Sequence, residues 1–296
     1  MASYDFDWVD AFTTRAMGGN PCVVVHDAEG LPPEDRIRLV RETRLSECAY
    51  IVPSDKADFG ARYYLATEEI PMAGHPTVAT VTSLLDRGLV RLVDGAAEFT
   101  LEVGAGVLPI RVTQEGDAPP VVTMTQFAPQ FGAVHDRAEV ADIFGLGARH
   151  LLDDPQTVST GSAFCIMPLR DHAALRRARL DATALAQWLD RPSTDCRMVF
   201  LTVPQGVTET GQTFSRLLIA PPGPAEDPFT GSATGCMAAY YWARGHLEEA
   251  RFVAEQGHWM NRPGQAMVEV LGPRKAPTGV LVGGSGCVLM RGKLTL

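Results

Sequence analysis

The sequence predicts an α+β protein built from two copies of one folding unit, and three observations predict it. Short alternating strand runs and apolar helical runs interleave along the chain. Clusters of Gly and Pro interrupt it at two places. Above all, Glu69-Ile-Pro-Met-Ala-Gly-His-Pro-Thr77 can be laid on Glu226-Asp-Pro-Phe-Thr-Gly-Ser-Ala-Thr234 at a constant displacement of 157 residues. That displacement matches Glu69 with Glu226, Pro71 with Pro228, Gly74 with Gly231 and Thr77 with Thr234. It persists to Arg87-Gly88 and Arg244-Gly245, where the two following helices end. Chance pairing of Gly and Pro rarely keeps one register over twenty positions, whereas a duplicated unit does.

In chain order, strand patterns cover 4–11, 21–26, 48–53, 61–66, 96–102 and 107–113. Pro32-Pro33-Glu34 opens a helix with Ile37 and Val40 on its inner side and Arg36, Arg38 and Arg41 mostly outside. The run from Pro76 to Arg87 is apolar around most of its circumference and stops at Gly88, which predicts a buried helix. Gln114-Glu-Gly-Asp-Ala-Pro-Pro120 is the expected boundary between halves, and Gly272–Gly279 is a second break. Beyond it, 280–282 and 287–296 read as strands around a flexible Gly283-Gly-Ser-Gly286. A tail that short cannot fold alone, so residues 1–114 plus 280–296 are expected to form one unit and 115–279 the other, with a cleft between them.

Composition narrows the function. The 296 residues are 46% hydrophobic and 21% charged, ordinary for a globular chain. No apolar run approaches the ~20 residues that a membrane span needs, so no membrane partner is expected. A net charge of −9, with Lys56, Lys275 and Lys293 as the only lysines, speaks against nucleic acid. The alternating N-terminus lacks the basic and apolar regions of a secretion signal, and a cytoplasmic location is expected. Cys22, Cys48, Cys165, Cys196, Cys236 and Cys287 are widely spaced, without a CxxC pair or a nearby His, so neither a disulfide framework nor a metal is indicated.

A helix N-terminus behind a glycine turn presents free N–H groups and the positive end of the helix dipole, which suits an anion. The repeat supplies two of them. Gly74 and His75 in one copy, Gly231 and Ser232 in the other, could hold a substrate carboxylate, with His75, Asp227 and Ser232 adding side-chain contacts. One such motif alone reads more simply as a tight turn with Ser232 or Thr234 capping a helix, and Asp227 as a turn acid; duplication tips the balance. Glu47, in Leu45-Ser-Glu-Cys-Ala-Tyr-Ile-Val52, stands where a helix gives way to a strand. A carboxylate drawn into an apolar cleft there would have its pKa raised from about 4.3 toward neutrality, as acid/base work requires.

At these residues the sequence resembles the PhzF family, the phenazine-biosynthesis isomerases and their relatives within the diaminopimelate epimerase superfamily. The resemblance runs through Asp10-Ala-Phe12, Gly19-Asn-Pro21, Asp27-Ala-Glu-Gly-Leu-Pro-Pro33, Leu45-Ser-Glu47 and Ala73-Gly-His-Pro76. It resumes at Glu226-Asp-Pro228, Thr230-Gly-Ser-Ala233, Glu255-Gln-Gly257, Arg262-Pro263 and Arg291-Gly292. It implies two pseudo-symmetric domains, each a curved mixed sheet wrapped around a central helix, with the last strand returning to the first domain, and a homodimer. It also implies a metal- and cofactor-independent isomerase acting on a small carboxylate-bearing substrate. Carried over by motif, Glu47 resembles the acid/base glutamate, His75 and Asp227 its polar partners, Ser46, Gly74, Gly231 and Ser232 the substrate-carboxylate contacts, and Asn20 the asparagine near the cleft. Two departures stand out. Arg44 replaces a small polar residue before Leu45-Ser-Glu47, and Phe229 replaces a small residue in the second turn.

Two other readings stay open. Epimerases and proline racemases of this superfamily use a thiol pair, which here would fall at Ala73 and Thr230, and neither is a thiol. A catalytically silent binding protein of the same fold is the other. No lysine sits in a strand-turn-helix setting, which disfavours a pyridoxal enzyme.

Overall fold

A computed structural model describes residues 2–296. The first half contains β1 (Ser3–Ala11), β2 (Asn20–Val25), α1 (Pro33–Thr43), β3 (Cys48–Val52), β4 (Phe59–Tyr64), β5 (Glu69–Ile70), α2 (His75–Asp86), β6 (Ala96–Val103), β7 (Gly106–Thr113) and β8 (Val121–Gln126). The second contains β9 (Gln130–Val134), α3 (Arg137–Asp142), β10 (Gln156–Ser159), β11 (Ala163–Pro168), α4 (His172–Arg177), α5 (Ala182–Leu189), β12 (Met198–Val203), β13 (Thr213–Leu218), β14 (Glu226–Asp227), α6 (Gly231–Arg244), β15 (Arg251–Gln256), β16 (Gly264–Leu271) and β17 (Gly279–Gly284). The chain ends in β18 (Gly286–Thr295).

Hydrogen bonding runs β18-β1-β2-β3-β4-β6-β7-β8 in the first half, with parallel steps only at β2–β3 and β4–β6. The second half runs β9-β10-β11-β12-β13-β15-β16-β17, with parallel steps only at β11–β12 and β13–β15. The short β5 hangs on β4 as β14 hangs on β13. The two orders are the same order, which is the duplication written in strand pairing. The halves join where β8 pairs antiparallel with β17, Gln126 opposite Val280 and Val122 opposite Gly284. β18 returns to pair with β1 along Ser3–Ala11. Residues 114–120 form the loop that joins β7 to β8.

Each half wraps its curved sheet around one helix. Nine of the twelve residues of α2 are buried, and eleven of the fourteen of α6, so both are sequestered on nearly every side. Within them Thr77 and Thr234 satisfy their hydroxyls by donating back to Ala73 O at 2.7 Å and Thr230 O at 2.9 Å. At the far end of α2, Arg87 forks onto the fully buried Asp7 at 2.7 and 2.8 Å, tying the helix to β1.

Two expectations need correction. Arg36 does not lie outside: it is 7% exposed, donates to Leu31 O at 2.9 Å and Ala28 O at 2.7 Å, and lies over the rings of Tyr50 and Tyr64. Its planar fork reaches two loop carbonyls at once, which helical periodicity cannot reveal. Nor is Gly283–Gly286 a flexible linker. Gly283 and Gly284 belong to β17 and Gly286 to β18. A Cβ on Gly284 would stand 2.9 Å from Phe12 Cε1, so this glycine makes room for a ring.

Candidate active site

The two buried helices meet mouth to mouth. A Cβ on Gly74 would stand 2.5 Å from both Cα and C of Gly231, and one on Gly231 would stand 2.7 Å from Phe12 Cζ. Only glycines permit this approach. Neither helix carries a side-chain cap, so the capping roles open to Ser232 and Thr234 are not used. The first-turn N–H groups of both helices therefore remain without intrahelical partners, and the two positive dipole ends converge on one place. Phe229, the departure in the second turn, is fully buried and stacks on Phe12 at 4.3 Å, filling the floor between the halves. Arg44, the other departure, is exposed and ends α1 in a left-handed conformation.

Around these mouths the fold gathers the residues singled out from the sequence. Glu47 follows the turn that leaves α1 and precedes β3, and its Oε2 lies 3.6 Å from His75 Nδ1. The Glu47 side chain is 17% exposed, and its Oε2 is buried. Burial, with the charge of Asp227 adding to it, pushes the Glu47 carboxyl well above the ordinary range. His75 is 2% exposed, and burial lowers its pKa to about 3, so the ring is neutral. His75 is thus held neutral, while the Glu47 carboxyl is shifted toward its protonated form.

Asp227 is buried opposite. It accepts from Asn20 Nδ2 at 2.9 Å and Thr230 Oγ1 at 2.6 Å. Burial raises its pKa, against the opposing pull of Thr230, Ser46 and Asn20. Ser46 lies near Asp227 without making a hydrogen bond of proper geometry. Asn20 also donates to Phe229 O at 2.8 Å, so one amide from the first half grips two groups of the second. Ser232 is 6% exposed, one residue behind Gly231. Four buried polar atoms of this cluster, Asn20 Oδ1, Ser46 Oγ, Glu47 Oε2 and His75 Nε2, have no protein partner. Buried polar atoms are nearly always paired, so four together mark a place built for something polar.

One participant escaped the reading of the sequence. Gln256 donates to Asp227 O at 2.7 Å and to Thr230 Oγ1 at 3.2 Å, and accepts from Thr230 N at 3.0 Å, fixing the turn that carries Asp227. The Glu255-Gln-Gly257 motif was its only signal. Among the described residues, no group of three or more His, Cys, Asp or Glu is placed to hold a metal ion, and no helix is long and apolar enough to cross a membrane.

The thiol positions of the racemase reading hold buried Ala73 and Thr230, whose hydroxyl is engaged with Asp227. Burial pushes Cys48 up to about 12 and Cys236 up to about 11, so neither is a thiolate at neutral pH. Folded Cys48→Ala and Cys236→Ala proteins are expected to keep isomerase activity within a few-fold. A loss of several orders of magnitude in either, with circular dichroism unchanged, would bring thiol chemistry back.

The family model described as phenazine biosynthesis-like protein, PhzC-PhzF, matches residues 9–292. The isomerase YfhB of Bacillus subtilis is 30% identical over 88% of this chain and 88% of its own. The trans-2,3-dihydro-3-hydroxyanthranilate isomerase of Pseudomonas fluorescens is 26% identical over 97% of this chain and 98% of its own. A crystal structure of a PhzF-family protein from Bacillus anthracis superposes with a TM-score of 0.84, at 25% identity and with 100% of both chains covered. With doubled topology and a family match over nearly its whole length, the chain belongs to the PhzF family of isomerases.

Proposed function

We propose that this isomerase moves a proton between two carbons of a small carboxylate-bearing metabolite, with Glu47 as the single acid/base and no cofactor. The observation that carries the reading is the set of four unpartnered buried atoms around two converging helix N-termini. Free N–H groups of the first turns, with Gly74, Gly231, Ser232 and Ser46, bind the substrate carboxylate. The same N–H groups stabilise the negative charge that develops as a neighbouring C–H bond breaks. Ionised Glu47 takes that proton, the electron pair shifts along the substrate's π system, and protonated Glu47 returns the proton to a second carbon on the same face. Proton and charge balance without any other reactant. A carboxyl with a raised pKa suits both halves of the cycle, because it is a stronger base than an ordinary carboxylate when ionised and holds the proton it must return. Neutral His75 and Asp227 orient polar groups of the substrate and tune Glu47.

The same reading divides the chain into two domains, proposed from the sequence as 1–114 plus 280–296 and 115–279. The pairing of β7 with β8 and of β16 with β17 favours carrying β8 with the first domain and β17 with the second. It also makes the enzyme a homodimer, as its resemblance implies, in the cytoplasmic location expected from the sequence.

The test is turnover in heavy water. Trans-2,3-dihydro-3-hydroxyanthranilate, the compound in the name of the Pseudomonas relative, heads a panel of small unsaturated carboxylates followed by proton NMR. A new product from at least one compound, with deuterium or the returned substrate proton at the new C–H, is expected. Tight binding of panel members with neither exchange nor a new product in any would support the silent binding protein instead. With a competent substrate, kcat/KM is expected to rise with pH through a midpoint above the ordinary carboxylate value of about 4.3, because Glu47 must first be ionised. A profile flat from pH 4 to 8 would contradict that.

A further inference from the structure

One motif remains without a role in this scheme. Arg262, in the turn before β16, reaches out of the second half and into the first. Its Nη2 donates to Asp10 Oδ1 at 2.7 Å and to Gly18 O at 2.7 Å, and its Nε to Gly19 O at 2.9 Å. Asp10 is fully buried at the end of β1, and its other oxygen accepts from Met17 N at 2.6 Å. Gly19 N closes the contact by donating to Pro263 O at 3.0 Å. Gly19 has φ +49, and a side chain there would run into Ala11 O, so this crossing is shaped for glycine.

The residue after Gly19 is Asn20. Arg262 therefore holds the carbonyls of both residues that lead into the side chain gripping Asp227 and Phe229. The clasp has two arms of opposite sense, Arg262 from the second half into the first and Asn20 from the first into the second. Both end within one turn of the strand pair Ala11 and Asn20. Glu47 stands on the first half and Asp227 on the second, so the clasp spans the same gap as these two carboxyls.

We propose that Arg262, with Asp10, is a positioning residue that sets the spacing of Asp227 from Glu47 by locking Asn20 across the cleft. A lysine cannot replace it, because one ammonium lacks the planar fork that meets a carboxylate and two carbonyls together. The inference rests on Glu47 as the acid/base group, but its test does not depend on turnover.

Groups facing Glu47 come from five elements: Asp227 on β14, His75 on α2, Cys22 on β2, Cys48 on β3 and Tyr63 on β4. Of these, Asp227 supplies the charge that adds to burial in raising Glu47, and it alone lies across the seam the clasp bridges. Loosening the clasp moves that charge away and admits water, and both changes favour the ionised carboxyl.

The experiment titrates Glu47 in the full-length protein labelled with carboxyl-13C glutamate, its resonance assigned by its disappearance in Glu47→Gln. In Arg262→Lys the Glu47 midpoint is expected to fall by about half a pH unit or more, with the circular dichroism spectrum unchanged. If Arg262→Lys does not fold, the charge-balanced pair Asp10→Asn with Arg262→Met takes its place, with the same expectation. A folded variant with the Glu47 midpoint unchanged or raised overturns the proposal, even if its melting temperature drops, because a merely structural tie lowers stability without moving this midpoint. Failure of Glu47→Gln to reduce turnover would instead remove the acid/base assignment and leave the titration result standing.

Discussion

Glu47→Gln is expected to yield a folded protein that binds its substrate within a few-fold of the wild type and turns it over at least about 10² to 10⁴ times more slowly. Glutamine keeps the shape of the side chain and one carbonyl acceptor and removes only the ability to carry a proton. The expected loss is large because no second group in the cleft can substitute. His75 is the nearest candidate at 3.6 Å, but burial holds it to a pKa of about 3, which makes it a weak base. Asp227 is engaged with Asn20 and Thr230, so it would have to break two hydrogen bonds to act on substrate. The effect should appear in kcat with KM little changed, since the carboxylate of the substrate rests on the helix N-termini and not on Glu47. Steady-state kinetics with circular dichroism as the folding control measures it; near-normal turnover would move the proton to His75 or Asp227.

Gly74→Ala is expected to be nearly as damaging for a different reason. The added methyl would press on the backbone of Gly231 and Ser232, and a backbone at the start of a buried helix cannot swing aside. The helix mouths must separate or the halves must rotate. Overpacking of this kind costs about 1–3 kcal/mol, and a displacement of about 1 Å at a catalytic constellation can cost about 10² in rate. Lower melting temperature and a fall in kcat/KM of at least that size are the expected results. Gly30→Ala is the control, because a Cβ there meets nothing nearer than the Tyr4 hydroxyl at 3.7 Å, and it should leave both quantities almost unchanged. Full activity in Gly74→Ala would mean that the contact between the two helix N-termini is not needed.

The repeat was legible because the pieces in closest contact tolerate the least change. β5 and β14, and the glycines Gly74 and Gly231 at the mouths of α2 and α6, keep the displacement of 157 residues, since these two glycines are pressed together and leave no room for insertion. Away from that contact the register drifts. The displacement is 148 between Ala11 and Ser159, the ends of β1 and β10, and 143 between Asn20 and Ala163, the starts of β2 and β11, because the crossing from Phe12 to Gly19 has only the short turn 160–162 as its counterpart. Glu47, Asn20, Ser46, His75 and Asp227 were readable as candidates from their motifs, and the fold brings them around one pair of helix mouths. Arg36, Gln256 and Arg262 were not readable as actors. Each works through hydrogen bonds to backbone carbonyls or N–H groups of distant segments, and periodicity carries no trace of such partners.

The most direct test of the central claim is where the proton goes. With a substrate found by the heavy-water screen, the product is formed in heavy water and its proton NMR spectrum is compared between wild type and Glu47→Gln under single turnover. If Glu47 is the carrier, wild type yields product whose newly formed C–H position holds deuterium or the transferred substrate proton, while folded, substrate-saturated Glu47→Gln forms none on the same timescale. Product appearing in Glu47→Gln at the wild-type rate, with the same label at the same carbon, would contradict the account.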